Sequence, residues 1–212
     1  MKVEIWSDVV CPWCYLGKRR FERALESFEH RDGVDVVYRS FELDPAAPVG
    51  STTPTVDMLS AKYGMSPADA HNAQRQMEER AAADGLTFRM SELRTGNTRA
   101  AHRLLHLAKD QGRQADLAER LHQAYFTDGK SVFDTESLTA IATATGLDGE
   151  RVRQVLDSDE YDAEVAADEA EAHALGANGV PFFVIDRRYG ISGAQLQELF
   201  EQALAQAWTA TD

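Results

Sequence analysis

Residues Ser7 to Glu22 read SDVVCPWCYLGKRRFE, and the passage from an extended run through Cys11-Pro12-Trp13-Cys14 into a helix decides the fold. Upstream, Lys2 to Asp8 alternates Val3 and Ile5 with polar neighbours and runs on to Val9 and Val10, which predicts a strand entering a core. From Pro12 the period changes. Phe21, Leu25 and Phe28 fall at i, i+4 and i+7, with Gly33 as the predicted stop. Val34 to Leu43, VDVVYRSFEL, is rich in β-branched and aromatic residues and predicts a second strand. Strand, helix and strand within about forty residues make a βαβ unit with parallel strands.

Beyond Asp44 the texture changes to a Pro/Gly/Thr loop, PAAPVGSTTP, and then to roughly 110 residues with no convincing strand. Thr53-Pro54 and Ser66-Pro67 each predict a cap residue followed by proline at the first helical position. Gly64, Gly85, Gly112 and Gly146 mark helix ends. Ala101, Leu104, Leu105 and Ala108 outline one apolar face, and Leu138, Ile141 and Ala142 another. Five or six helices are expected before a long acidic one near Asp159 to Leu175, whose run from Glu164 to Glu171 reads as a solvent-facing side. The chain then returns to β structure, with Phe182 to Ile185, a polar turn at Asp186 to Arg188, and Tyr189 to Ser192. A closing amphipathic helix carries Leu196, Leu199, Phe200 and Ala203. The expected division is residues 1–45 plus 176–212 as an α/β domain and 46–175 as an inserted all-helical domain.

Composition narrows the function classes. The 212 residues are 43% hydrophobic and 27% charged, which excludes collagenous, disordered and disulfide-scaffold chains. Twenty-two basic against 35 acidic residues leave a net charge of −13, so nucleic acid and anionic membrane are poor partners. Glu4 and Asp8 interrupt any apolar run of a secretory leader, and no stretch reaches a membrane span, so the expected location is the cytoplasm. Only two cysteines occur, Cys11 and Cys14, so a disulfide can join only these neighbours.

A cysteine at the cap of a helix, before Pro12 at its first position, faces the free N–H groups and the positive end of the helix dipole, which favour thiolate. Cys14 lies on the same side of that turn. The pair reads as an exposed nucleophile and a shielded resolver able to pass through a mixed disulfide. A structural zinc site would need four ligands, and a three-residue structural loop would stabilise little. Asp8 reads as a solvated acid at a strand end, with assistance to proton transfer as the sharper alternative. His102 and His106 have the i, i+4 spacing of a metal pair, but without an intervening glutamate they read as helix-packing residues, and no metal is expected. Asn97-Thr98 reads as a helix cap. Pro181, before an apolar strand, reads from sequence alone as a trans proline at a strand start.

Four stretches carry a resemblance: SDVVCPWCYLGKRRFE, NTRAAHRLLHLA (Asn97 to Ala108), LHQAYFTDGKSVFDTESLTAIATATGLD (Leu121 to Asp148) and GANGVPFFVIDRRYGISGAQ (Gly176 to Gln195). With them the chain resembles the DsbA-like thioredoxin-fold family, in the branch of FrnE-type disulfide oxidoreductases. The resemblance covers Val3 to about Ala207. It implies a thioredoxin-like fold interrupted by a helical domain, Cys11 as nucleophile, Cys14 as resolver, and a cis Val180-Pro181 bond beside the dithiol. It further implies that Pro12, Trp13, Val180 and Pro181 meet substrate, Val180 through its backbone, and that Asn97 and His102 wall the site. Trp13 stands where the periplasmic oxidant of the family has histidine, so the resemblance does not extend to a very oxidising potential.

The leading expectation is a cytoplasmic thiol:disulfide oxidoreductase without bound cofactor, acting on protein or small thiols with glutathione as a co-substrate; a homodimer is compatible with it. The runner-up resembles 2-hydroxychromene-2-carboxylate isomerases or kappa-class glutathione transferases acting on a polyketide-like aromatic substrate. The presence of both Cys11 and Cys14 favours the redox reading, because glutathione addition needs no resolving thiol. A peptide-binding holdase is the non-enzymatic alternative.

Overall fold

The computed structural model describes residues 1–210. Its elements are β1 (Lys2–Ser7), α1 (Pro12–Ser27), β2 (Asp35–Ser40), β3 (Thr52–Pro54), α2 (Thr55–Tyr63), α3 (Pro67–Ala83), β4 (Arg94–Gly96), α4 (Arg99–Asp110), α5 (Gln114–Phe126), α6 (Thr135–Ala144), α7 (Gly149–Leu156), α8 (Asp162–Ala174), β5 (Phe182–Ile185), β6 (Tyr189–Ser192) and α9 (Gln197–Thr209). The main sheet has the order β2-β1-β5-β6. β1 pairs parallel with β2 from Lys2↔Asp35 to Ser7↔Ser40, while β5 runs antiparallel to β1 and folds back onto β6.

Strand alternation sorts the side chains to the two faces of this sheet. Val3 and Ile5 of β1 and Phe183 and Ile185 of β5 turn into the larger core, where they meet Leu16 and Phe21 of α1 and Phe200 and Leu204 of α9. The Phe183 ring packs edge-on against Phe200 at 4.7 Å between centroids. Trp6, Phe182 and Val184 turn to the opposite face and join Ala172 of α8 and Ala177. The larger core continues from the sheet into α3 to α7 through Met77, Leu104, Leu117, Leu121, Leu138 and Val152.

Several local expectations change. β1 ends at Ser7 rather than running to Val10, because Asp8 starts a turn in which Cys11 N–H donates to its carbonyl at 3.1 Å. α1 ends at Ser27, where Phe28 takes an extended conformation, so Gly33 closes only a short 3-10 turn. A β-carbon at Gly33 would stand 2.8 Å from the Trp208 ring, so packing explains this glycine. β2 is shorter than expected, leaving the sheet after Ser40. The supposedly strand-free stretch contains the β3–β4 ladder, in which Thr53 pairs with Thr95. That ladder displaces the α2 boundary: Pro54 is the cap residue and Thr55 the first helical one. Ser66 does cap α3, its Oγ accepting from Asp69 N–H, and Gly64 closes α2 in the left-handed region at φ 65°.

α8 begins at Asp162 rather than Asp159, and its acidic run is not uniformly solvent-facing. Asp168 points inward, accepting from Arg39 Nη1 and from Ser40 N–H, each at 2.9 Å. The carbonyl of Asp168 accepts from Trp6 Nε1 at 2.8 Å, which pins α8 to the sheet. Among the described residues no helix is long and apolar enough to cross a membrane.

Candidate functional site

Cys11 is the cap residue of α1, with Pro12 at the first helical position. Its carbonyl accepts from Cys14 N–H at 3.0 Å and Tyr15 N–H at 3.3 Å, so the first turn closes around the dithiol. The two sulfurs are not bonded to each other in this structure. The expected exposure of the nucleophile is not found: Cys11 is only 3% exposed and Cys14 1%, while Trp13 between them is 38% exposed. Cys11 is covered because the Val180-Pro181 segment, joined by a cis bond, lies over it, with Cys11 Sγ donating to the Val180 carbonyl at 3.7 Å. Burial pushes the Cys14 thiol well above its ordinary range, reinforced by its hydrogen bond with Cys11 and opposed in part by Asp8 and Ser7.

Gly17 brings α1 against the same segment. A β-carbon there would lie 2.9 Å from Pro181 Cγ and 3.4 Å from Ala194. Only a glycine lets the helix and this loop approach so closely.

Asp8 is a correction to the sequence reading: it is 1% exposed, not solvated. Leu43 N–H donates to its Oδ2 at 2.8 Å, and His102 Nε2 lies 3.3 Å from its Oδ1. His122 Nε2, from α5, lies 3.3 Å from the Asp8 carbonyl that also accepts from Cys11 N–H. The turn before the dithiol is therefore held by two histidines from two different helices. His102 is fully buried behind that turn, facing Asp8. His106 serves a separate cluster, 3.2 Å from both Ser40 Oγ and Asp168 Oδ2. The two histidines thus turn to different acids, and no group of three or more metal-ligating side chains occurs among the described residues.

Asn97 uses its amide at the start of α4: Oδ1 accepts from Arg99 N–H at 3.0 Å and Nδ2 donates to the Ala47 carbonyl at 3.1 Å. The first bond is the local one a helix start needs, and the second ties that start to the loop before β3. Thr98 is the cap residue by position, but its side chain makes no cap bond.

A family model, the DSBA-like thioredoxin domain, matches residues 2–205. The chain belongs to that family. A probable DsbA oxidoreductase from Streptomyces coelicolor is 54% identical, with a TM-score of 0.95 over 99% of this chain and 90% of that one. The uncharacterized protein YwbO of Bacillus subtilis is 27% identical over 205 residues, 96% of this chain and 95% of that one. DsbM, a cytosolic disulfide reductase of Pseudomonas aeruginosa solved with GSH, shares the fold at 18% identity, with a TM-score of 0.67 over 99% of this chain and 100% of that one.

In this DSBA-like chain, sequence reasoning missed the support around Tyr15. The Tyr15 ring stacks on His122, 4.9 Å between centroids at an interplanar angle of 9°, and its hydroxyl donates to Glu119 Oε1 at 2.8 Å. Glu119 also pairs with Lys18, a buried lysine one turn beyond Cys14, which donates to Glu22 Oε1 at 2.7 Å. Glu119 and His122 sit three residues apart on α5, the one signal in sequence that they share a helix face. Nothing local points them at α1. Also missed was Arg80 of α3, whose guanidinium lies over the Trp13 ring at 5.3 Å.

Proposed function

We propose that this DsbA-like oxidoreductase exchanges disulfides through Cys11 and Cys14. The observation that carries the reading is the pair of cysteines on one helical turn, Cys11 at the cap and Cys14 buried beneath it. The Cys11 thiolate attacks a substrate disulfide, forming the Cys11–substrate bond and expelling one substrate thiolate. Cys14, its proton passing to the substrate thiolate already expelled, then attacks Cys11 sulfur and expels the second, leaving the two-electron-oxidised Cys11–Cys14 disulfide for an external thiol to reduce. The high proton affinity of Cys14 favours its remaining a thiol until Cys11 is engaged. Pro12, Trp13 and the Val180-Pro181 backbone meet the substrate, in the manner of added-strand recognition.

The proposed setting is the cytoplasm, with glutathione as the thiol that closes the cycle and with no resident cofactor. The family and the fold shared with a glutathione-bound reductase support this. The test is a glutathione redox titration with both thiols counted by alkylation mass, beside insulin reduction by the cysteine variants. A reversible two-electron transition is expected, with Cys11→Ser inactive and Cys14→Ser accumulating mixed disulfides. A stable glutathione adduct on Cys11 alone, or wild-type activity in both variants, would overturn it.

A further inference from the structure

A cavity of about 240 Å³ opens beside the dithiol loop. Pro12 and Trp13 form one wall; the others come from Leu59 of α2, Ala73, Gln74, Gln76, Met77 and Arg80 of α3, and Met90. The lining is mostly apolar, and its two methionines can adapt to side chains of different shape.

Two polar features break this surface. Gln74 is only 3% exposed; its Nε2 donates to Thr55 Oγ1 at 2.7 Å and to the Met90 carbonyl at 3.0 Å, while its Oε1 is buried and has no partner. The Gln74 carboxamide therefore serves the wall itself, tying α3 to Thr55 and Met90. Arg80 is exposed and is the one charged residue lining the cavity, in a protein of net charge −13. Its guanidinium is already positioned by the Trp13 ring. A carboxylate is the charge that meets attraction at this place.

We infer that this cavity reads the residues flanking the reactive cysteine of a peptide substrate: an apolar side chain enters it and a neighbouring carboxylate meets Arg80. The inference rests on the exchange reading above and names the substrate class for the same site. Pro12 and Trp13 follow Cys11 directly in α1 and also form a wall of the cavity, so a residue beside the reacting cysteine of a bound peptide has a path into it.

The test uses peptides joined by a disulfide to one small chromogenic thiol and identical except for the two residues beside cysteine: Leu-Glu, Gly-Glu or Leu-Lys. Burial of the leucine should raise kcat/KM of Leu-Glu about tenfold over Gly-Glu. The exposed carboxylate–guanidinium pair should favour Leu-Glu over Leu-Lys about threefold. Arg80→Glu should reverse the second preference, and Met77→Trp, which fills the cavity, should erase the first. Arg80 is a surface side chain, so its variant keeps the test open if Met77→Trp does not fold.

Equal kcat/KM for the three peptides, or ratios that neither variant changes, would overturn the subsite and leave disulfide exchange standing. If Met77→Trp slows glutathione disulfide as much as the leucine peptide, the cavity belongs to glutathione and the peptide assignment falls. If the wild-type dithiol turns over no peptide and does not titrate, the exchange reading fails and takes this inference with it.

Discussion

Acidification should destabilise the protein through one buried imidazole. His122 is buried on the Tyr15 ring, and burial together with the nearby Lys18 charge lowers its pKa to about 4. The hydrogen bond to the Asp8 carbonyl and the Glu119 charge only partly oppose this. In the unfolded chain the same group titrates near 6.5. Between these values the unfolded state binds more protons than the native one, so this contribution is fully present above pH 6.5 and is lost as pH falls toward 4. At about 1.4 kcal/mol per pH unit, the loss from pH 7.5 to pH 5 comes to about 2 kcal/mol.

The assay is urea unfolding, followed by tryptophan fluorescence at fixed ionic strength, for wild type and His122→Phe. Phenylalanine retains a ring against Tyr15 and carries no proton. At pH 7.5 the variant should lose about 1 kcal/mol with the hydrogen bond to Asp8. Between pH 7.5 and 5, wild type should lose about 2 kcal/mol more than the variant, because the other histidines are common to both and cancel in the difference. Parallel stability curves over that range would refute the reasoning, since they would mean that His122 takes up its proton as easily folded as unfolded.

Gly17→Ala sets a close contact against a propensity gain. The added β-carbon meets Pro181 Cγ at 2.9 Å, an overpacking worth about 1–3 kcal/mol, while alanine returns about 1 kcal/mol in the helix interior. A net loss of about 1 kcal/mol is therefore expected in urea unfolding, and a gain in stability would contradict the packing. At alkaline pH the raised Cys14 thiol acts in the other direction from His122: unfolding frees it to ionise near pH 8.5, so stability falls as pH rises. Wild type should lose about 1 kcal/mol more than Cys14→Ala between pH 8 and 9.5, and no difference in slope would remove the claim that Cys14 is held protonated.

Local chemistry made much of this protein legible from sequence. The change of period at Pro12 located β1 and α1 and put Cys11 at the cap, because a proline at the first helical position and a polar cap are local requirements. Phe182 to Ile185 and Tyr189 to Ser192 emerged with the bounds later found, since a four-residue apolar run and a polar turn are visible within ten residues. β3 and β4 were hidden because three residues show no period, and their pairing joins segments about forty residues apart.

The sequence by itself determined the dithiol, its helix, the parallel βαβ unit and the closing hairpin and helix. Only the tertiary structure decided that Asp8 is buried, that Asp168 turns inward, that Cys11 lies under Val180 and that α5 supports the turn before the dithiol. The physical reason is range. Caps, periods and turns are set by residues within a few positions of one another, whereas burial and hydrogen bonds at this site depend on partners such as Asp8 with His122 and Cys11 with Val180, which only the packed chain brings together.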